Sequence, residues 1–117
     1  MTNLVINENN NLDIIKNNWE LNIVLYYSDI FTDNELIKKI HDLKENFKIL
    51  AKEFENNKNI KFFIINIDND ERTWNYFNLF SIPSIQFIRY NLKIADLAWF
   101  PTNKEIKEKI EELLKNS

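Results

Sequence analysis

The stretch Ser81-Ile82-Pro83-Ser84 constrains this chain more than any other, because it joins a short helical pattern to the apolar run Ile85-Gln86-Phe87-Ile88. The proline ring removes a backbone donor at Pro83, and its Cδ clashes with a helical conformation at Ile82. Ile82 is therefore extended, and the helix before it must end upstream. Proline on its own leaves the peptide bond preferring trans.

Upstream of that turn lie a strand pattern ending in acidic residues, Phe62-Phe63-Ile64-Ile65-Asn66-Ile67-Asp68, and a helical one through Trp74-Asn75-Tyr76-Phe77. Strand, short helix, Ser-Ile-Pro, strand and a closing amphipathic helix in this order resemble the C-terminal half of a thioredoxin. Ile23-Val24-Leu25-Tyr26-Tyr27-Ser28 is similar to the central strand leading into that family's redox motif, so the resemblance covers nearly the whole chain. It implies a single domain over residues 1–117 with a thioredoxin-like α/β fold, a three-layer α/β/α sandwich around a mixed central sheet. The segments at Val24 and Phe63 should be parallel central neighbours, with those at Phe87 and Leu97 antiparallel at one side. The resemblance also implies a cis Ile82–Pro83 bond abutting the family's active site.

The family's chemistry does not follow, because the chain has no cysteine. That excludes the Cys-x-x-Cys, disulfides, thiolate nucleophiles and thiolate metal sites. Counting forward from the central strand puts the lost motif at Phe31-Thr32-Asp33-Asn34, whereas counting back from Ile60 puts it near Lys39 to Asp42. An extended second helix, longer by roughly one and a half to two turns, reconciles the counts. By the same resemblance Leu25 stands where the family buries a carboxylate that tunes its cysteine. His41 is the only histidine, which excludes a multi-histidine metal site within the monomer. Its neighbour Asp42 points away from it on a helix, and no nucleophile is placed beside them, so His41 reads as a surface residue. No metal and no cofactor are expected.

Composition narrows the partners. With 117 residues, 44% of them hydrophobic, the chain suits one core, and a net charge of −3 with scattered lysines implies no nucleic-acid partner. No run approaches the roughly 20 apolar residues of a bilayer span, so no membrane partner is expected. The start Met1-Thr2-Asn3-Leu4-Val5 lacks the basic and apolar regions of a signal peptide, which makes a cytoplasmic location the expectation; a leader already removed would leave no trace in this sequence. The cluster Asp68-Asn69-Asp70-Glu71 reads as a solvated loop complementing a helix N-terminus, in preference to a cation site.

Local patterns place the remaining elements. Leu4 to Ile6 suits an edge strand and Leu12 to Asn17 a short helix with Ile14 and Ile15 inward; Asn22 to Tyr27 and Lys61 to Ile67 suit central strands. Thr32 and Glu35 form a capping box, so a helix should start at Asp33 and run to about Glu55. Strands are expected at Ile85 to Tyr90 and Ile94 to Phe100, with a helix opening at Thr102. Because glycine is absent, turns needing positive φ must use residues such as Asn56, Asn57, Asn69 and Asn91. Asn91-Leu92 stands where the family has Asn-Gly, and leucine resists positive φ, so a longer or bulged hairpin is expected.

What remains is a surface. The resemblance implies docking against the segment after the central strand, the residues around the proline and the loop before the last helix. Those are Ile30 and Phe31, Ser81, Ile82 and Pro83, and Trp99 and Phe100. Two readings stand for Trp99 and Phe100: exposed contacts, or core residues filling space the motif loop has vacated. The expected function is a redox-inactive protein-interaction or chaperone-type module. Its partner would be a protein or extended peptide, a second copy included. The rivals are a cysteine-independent enzyme, a redox subunit completed by a partner, and a splicing-factor-type relative of this fold.

Overall fold

A computed structural model describes residues 3–115. The order of elements is β1 (Leu4–Ile6), α1 (Asn11–Lys16), β2 (Leu21–Tyr27), α2 (Asn34–Glu53), β3 (Ile60–Asn66), α3 (Glu71–Tyr76), β4 (Ser84–Arg89), β5 (Leu92–Ala98) and α4 (Asn103–Lys115). The five strands form one sheet in the order β1-β3-β2-β4-β5. β1 and β2 run parallel to β3, while β4 is antiparallel to both β2 and β5.

The sheet is covered on both faces, which is why β2 has no polar alternation and is buried along its whole length. On one face α2 and α4 press Ile40, Leu43, Phe47, Leu50, Ile106 and Ile110 onto Ile23, Leu25, Phe62, Ile64, Ile85 and Phe87. Phe47 meets Phe62 edge-on, with ring centroids 5.4 Å apart. On the other face α1 and α3 set Leu12, Ile15 and Phe77 against Val24, Tyr26, Phe63, Ile65 and Ile88. The thioredoxin-like three-layer architecture and its long second helix are therefore present.

Several local expectations need correction. The capping side chain of α2 is Asp33, not Thr32: its Oδ1 accepts from the backbone N–H groups of Glu35 and Leu36, so the helix starts at Asn34. A carboxylate there satisfies two orphan donors and opposes the helix dipole, which outweighs the threonine hydroxyl. At Thr102, where a helix was expected to open, a capping box forms, with Glu105 N–H donating to Thr102 Oγ1 and Thr102 N–H to Glu105 Oε1. Of the two isoleucines of α1 expected to face inward, Ile15 is fully buried and Ile14 only half-buried.

The last hairpin takes the bulged one of its two expected forms. Tyr90 and Asn91 both take positive φ, at 53° and 63°, and make a two-residue turn that leaves Leu92 in the strand opposite Arg89. The loop is thus no longer than the usual one. The register instead slips between Phe87 and Ile88, where β5 carries one extra residue. β5 begins two residues earlier than expected, directly after the turn, and ends at Ala98, leaving Trp99 and Phe100 beyond it. Of the asparagines assigned to left-handed turns only Asn91 has positive φ; the others that do are Asn7 and Asn78.

Candidate functional site

Register gathers the three segments. Tyr26 of β2 pairs with Ser84 of β4, and Ser84 pairs with Ala98 of β5, so the residues just beyond this row meet at one end of the sheet. From β2 the chain continues to Ile30 and Phe31, from β4 it runs back to Pro83 and Ser81, and from β5 it leaves through Trp99. The Trp99 N–H donates to Pro83 O at 2.9 Å, which extends the β4–β5 ladder one step past the last strand residue. The Ile82–Pro83 peptide bond is cis.

The expected site residues are not equally available. Ile30 is 72% exposed and Trp99 61%. Phe31 and Phe100 are partly buried and pack against the α2–α4 core. Ser81 and Ile82 are half-buried, and the Pro83 ring is buried. The alternatives for the two neighbouring aromatics therefore divide between them: the Trp99 side chain faces solvent, while Phe100 fills space beside α2, with Lys39 Nζ 5.9 Å from its ring centroid. A groove of about 490 Å³ lies beside Phe100, lined by Lys39, Leu43, Asn46, Pro101 and Thr102.

The strand-to-helix segment is braced by the acidic loop after β3. The Asp68 carboxylate accepts from Ser28 Oγ at 2.7 Å and from the Asp29 N–H at 2.9 Å. The Ile30 N–H in turn donates to Ser28 Oγ, and Asn66 Nδ2 donates to Asp29 Oδ2. Asp70 caps α3 by accepting from the Thr73 N–H. The acidic cluster thus organises backbone, and among the described residues no group of three or more acidic or histidine side chains could hold a metal ion. Asp68 is legible in the sequence only as a loop acid; nothing there shows that it fixes Ile30.

The two stretches to which the resemblance assigned a redox motif fall in different places. Residues 31–34 form the junction between β2 and α2, with Asp33 as the cap, whereas Lys39 to Asp42 lie inside the helix. Leu25, where the resemblance implied a buried carboxylate, is part of the apolar core. His41 is exposed on α2 and borders a pocket of about 220 Å³ with Ser28, Phe31 and Lys44. Sequence reasoning misses Phe80, which is 87% exposed beside the proline turn, and the buried polar pair Ser84 and Gln86 beneath it. Gln86 is visible as a break in an apolar run, but not as a buried one.

Comparison with solved structures decides the fold. Over 93% of this chain and 88% of the other, it superimposes on a mutant thioredoxin from Halobacterium salinarum NRC-1 with a TM-score of 0.71 at 12% identity. This is a thioredoxin-like fold. The thioredoxin-like chain also matches the J-Trx1 fragment of ERdj5, with a TM-score of 0.69 and 19% identity over 94% of its length, and it spans 49% of that fragment. A third structure, described as a malarial protein, matches 80% of the thioredoxin-like chain, and 96% of its own, with a TM-score of 0.63 and 14% identity. No protein-family model matches, and neither does any curated protein sequence. Since these 117 residues contain no cysteine, the thioredoxin-like scaffold here has no thiol of its own for disulfide exchange.

Proposed function

We propose that this chain is a redox-inactive, thioredoxin-like docking module that binds an extended protein segment across Ile30, Ser81, Ile82 and Trp99. The observation that carries this reading is the exposed Trp99 indole, presented by a residue with φ of 65° whose N–H is tied to Pro83 O. Left-handed backbone is unfavourable for a residue with a Cβ, and the indole recovers nothing by folding onto the core. Large aromatic side chains held outward over a sheet end are what protein hot spots are made of, since one tryptophan can remove well over about 100 Å² from water. The free edge of β5 lies alongside and offers backbone partners to an extended segment.

The rival reading as an enzyme has no cysteine, no metal cluster and no histidine pair among the described residues to carry it. Segments selected against the chain from a displayed peptide library provide the test. Amide hydrogen exchange of the complex should show new protection confined to residues 28–31, 81–84 and 97–100. Protection confined to the exposed face of α2, or acceleration of insulin reduction by the chain alone, rejects the reading.

A further inference from the structure

Sheet order sorts the residues at the docking end by chemistry. Trp99 follows β5, Pro83 precedes β4, Ile30 follows β2, Asp68 follows β3 and Glu8 follows β1. From one edge to the other the strands lie in the order β5-β4-β2-β3-β1, so this end of the sheet runs from Trp99 and Ile82 through Ile30 to Asp68 and Glu8. The first part of that row is apolar, with Ile30 and Trp99 exposed. The second part is acidic: residues 7–10, 28–33 and 66–71 carry Glu8, Asp29, Asp33, Asp68, Asp70 and Glu71 and no lysine or arginine.

Net charge does not force this arrangement, because the whole chain carries only −3 with 15 lysines and arginines. The nearest bases belong to the helices: Arg72 Nη2 lies 3.8 Å from Asp13 Oδ1, Lys39 Nζ lies 3.7 Å from Glu35 Oε1, and Lys38 is a turn into α2. Part of the acidity serves the fold, since Asp33 and Asp70 cap helices and Asp68 braces the exit from β2. Glu8 and Glu71 differ. Both are exposed, and neither makes an ion pair or a side-chain hydrogen bond with any described residue, so their charge is left facing solvent.

We propose that the segment docked across Trp99 and Ile82 is bipartite: an apolar stretch over β5, β4 and β2, flanked at one end by lysines or arginines over β3 and β1. Strands lie about 4.8 Å apart and an extended chain rises about 3.3 Å per residue, so the step from β2 to β1 is roughly 10 Å, or about three residues of the bound segment. Charge complementarity selects the basic flank. The acids are exposed and act over a Debye length of about 8 Å at physiological salt, so they govern the rate of encounter, while the apolar contacts hold the complex together. This partner class rests on the docking reading above, and the experiment separates the two.

The test is the sequence and the binding kinetics of segments selected against the chain from an unbiased displayed peptide library. Lysine and arginine should be enriched at one flank of an apolar stretch. Raising the salt from about 20 to about 200 mM should slow association roughly tenfold and leave dissociation nearly unchanged. Glu8→Gln with Glu71→Gln should slow association about threefold. Glu53→Gln with Glu55→Gln, which removes the same charge at the far end of α2, should not slow it. Trp99→Ala should instead speed dissociation. Flanks without basic enrichment, no slowing by the first pair of variants, or equal slowing by both pairs overturns the basic flank and leaves the docking reading standing. A library that yields no segment, or dissociation unaffected by Trp99→Ala, overturns both.

Discussion

The backbone N–H of Trp99 reaches Pro83 O at 2.9 Å, so the residue that presents the most exposed indole at this end of the sheet is tied to the proline turn. This bond holds Trp99 at a φ of 65°, where glycine is the residue of least cost. Replacing Trp99 by glycine should therefore relieve the backbone, whereas alanine keeps the penalty. Trp99→Gly is expected to unfold at higher denaturant than Trp99→Ala, by about 1 kcal/mol, with both far from unfolded in water. Equal stability of the two would show that the φ carries no cost.

The turn at Tyr90 and Asn91 has the same character, with both residues at positive φ. An Asn-Gly pair suits such a turn far better than Tyr-Asn. Tyr90→Asn with Asn91→Gly should raise the stability by roughly 0.5–1 kcal/mol, read from the denaturation midpoint at unchanged slope.

Asp68 braces the segment that carries Ile30 through its bonds to Ser28 Oγ and the Asp29 N–H. Asp68→Ala should cost about 1 kcal/mol, modest because the carboxylate is exposed. Its distinctive sign is local: exchange of the Asp29 and Ile30 amides should accelerate more than that of β3.

Tyr26 gives a pH signature. Its hydroxyl is buried without a partner, and burial, with a further contribution from Asp70, pushes its pKa well above the ordinary phenol value. A raised pKa in the folded state means that the native form holds its proton after the unfolded form has released it. The contribution is fully present below the unfolded value of about 10 and is lost as the pH climbs through and beyond it. Tyr26→Phe should remove this part of the alkaline loss. At neutral pH it should be neutral or stabilising by up to about 1 kcal/mol, since an unpaired buried hydroxyl goes with it.

Apolar continuity makes the fold readable: the unbroken runs in β2 and β3 and the three-and-four spacing of α2 leave few alternatives to a two-faced sheet. The Ser-Ile-Pro turn then locates the end of the sheet where the segments meet. Finer features depend on contacts between distant residues. Asp33 displaces Thr32 as the cap because a carboxylate serves two N–H groups at once, and a positive φ takes Trp99 out of the strand. No local pattern records that φ, because the sequence offers no glycine there to mark it.

Two tryptophans of nearly equal exposure allow the central claim to be tested directly: Trp99 at 61% and Trp19 at 58%. Trp19 precedes β2 and so lies at the opposite end of the sheet. The measurement is the affinity of a library-selected segment for the wild-type chain and for Trp99→Ala and Trp19→Ala, each checked for intact folding. Loss of a central aromatic contact is commonly worth about 2 kcal/mol or more, so Trp99→Ala should weaken binding roughly 30-fold while Trp19→Ala leaves it unchanged. A folded Trp99→Ala that binds as tightly as wild type would contradict the account.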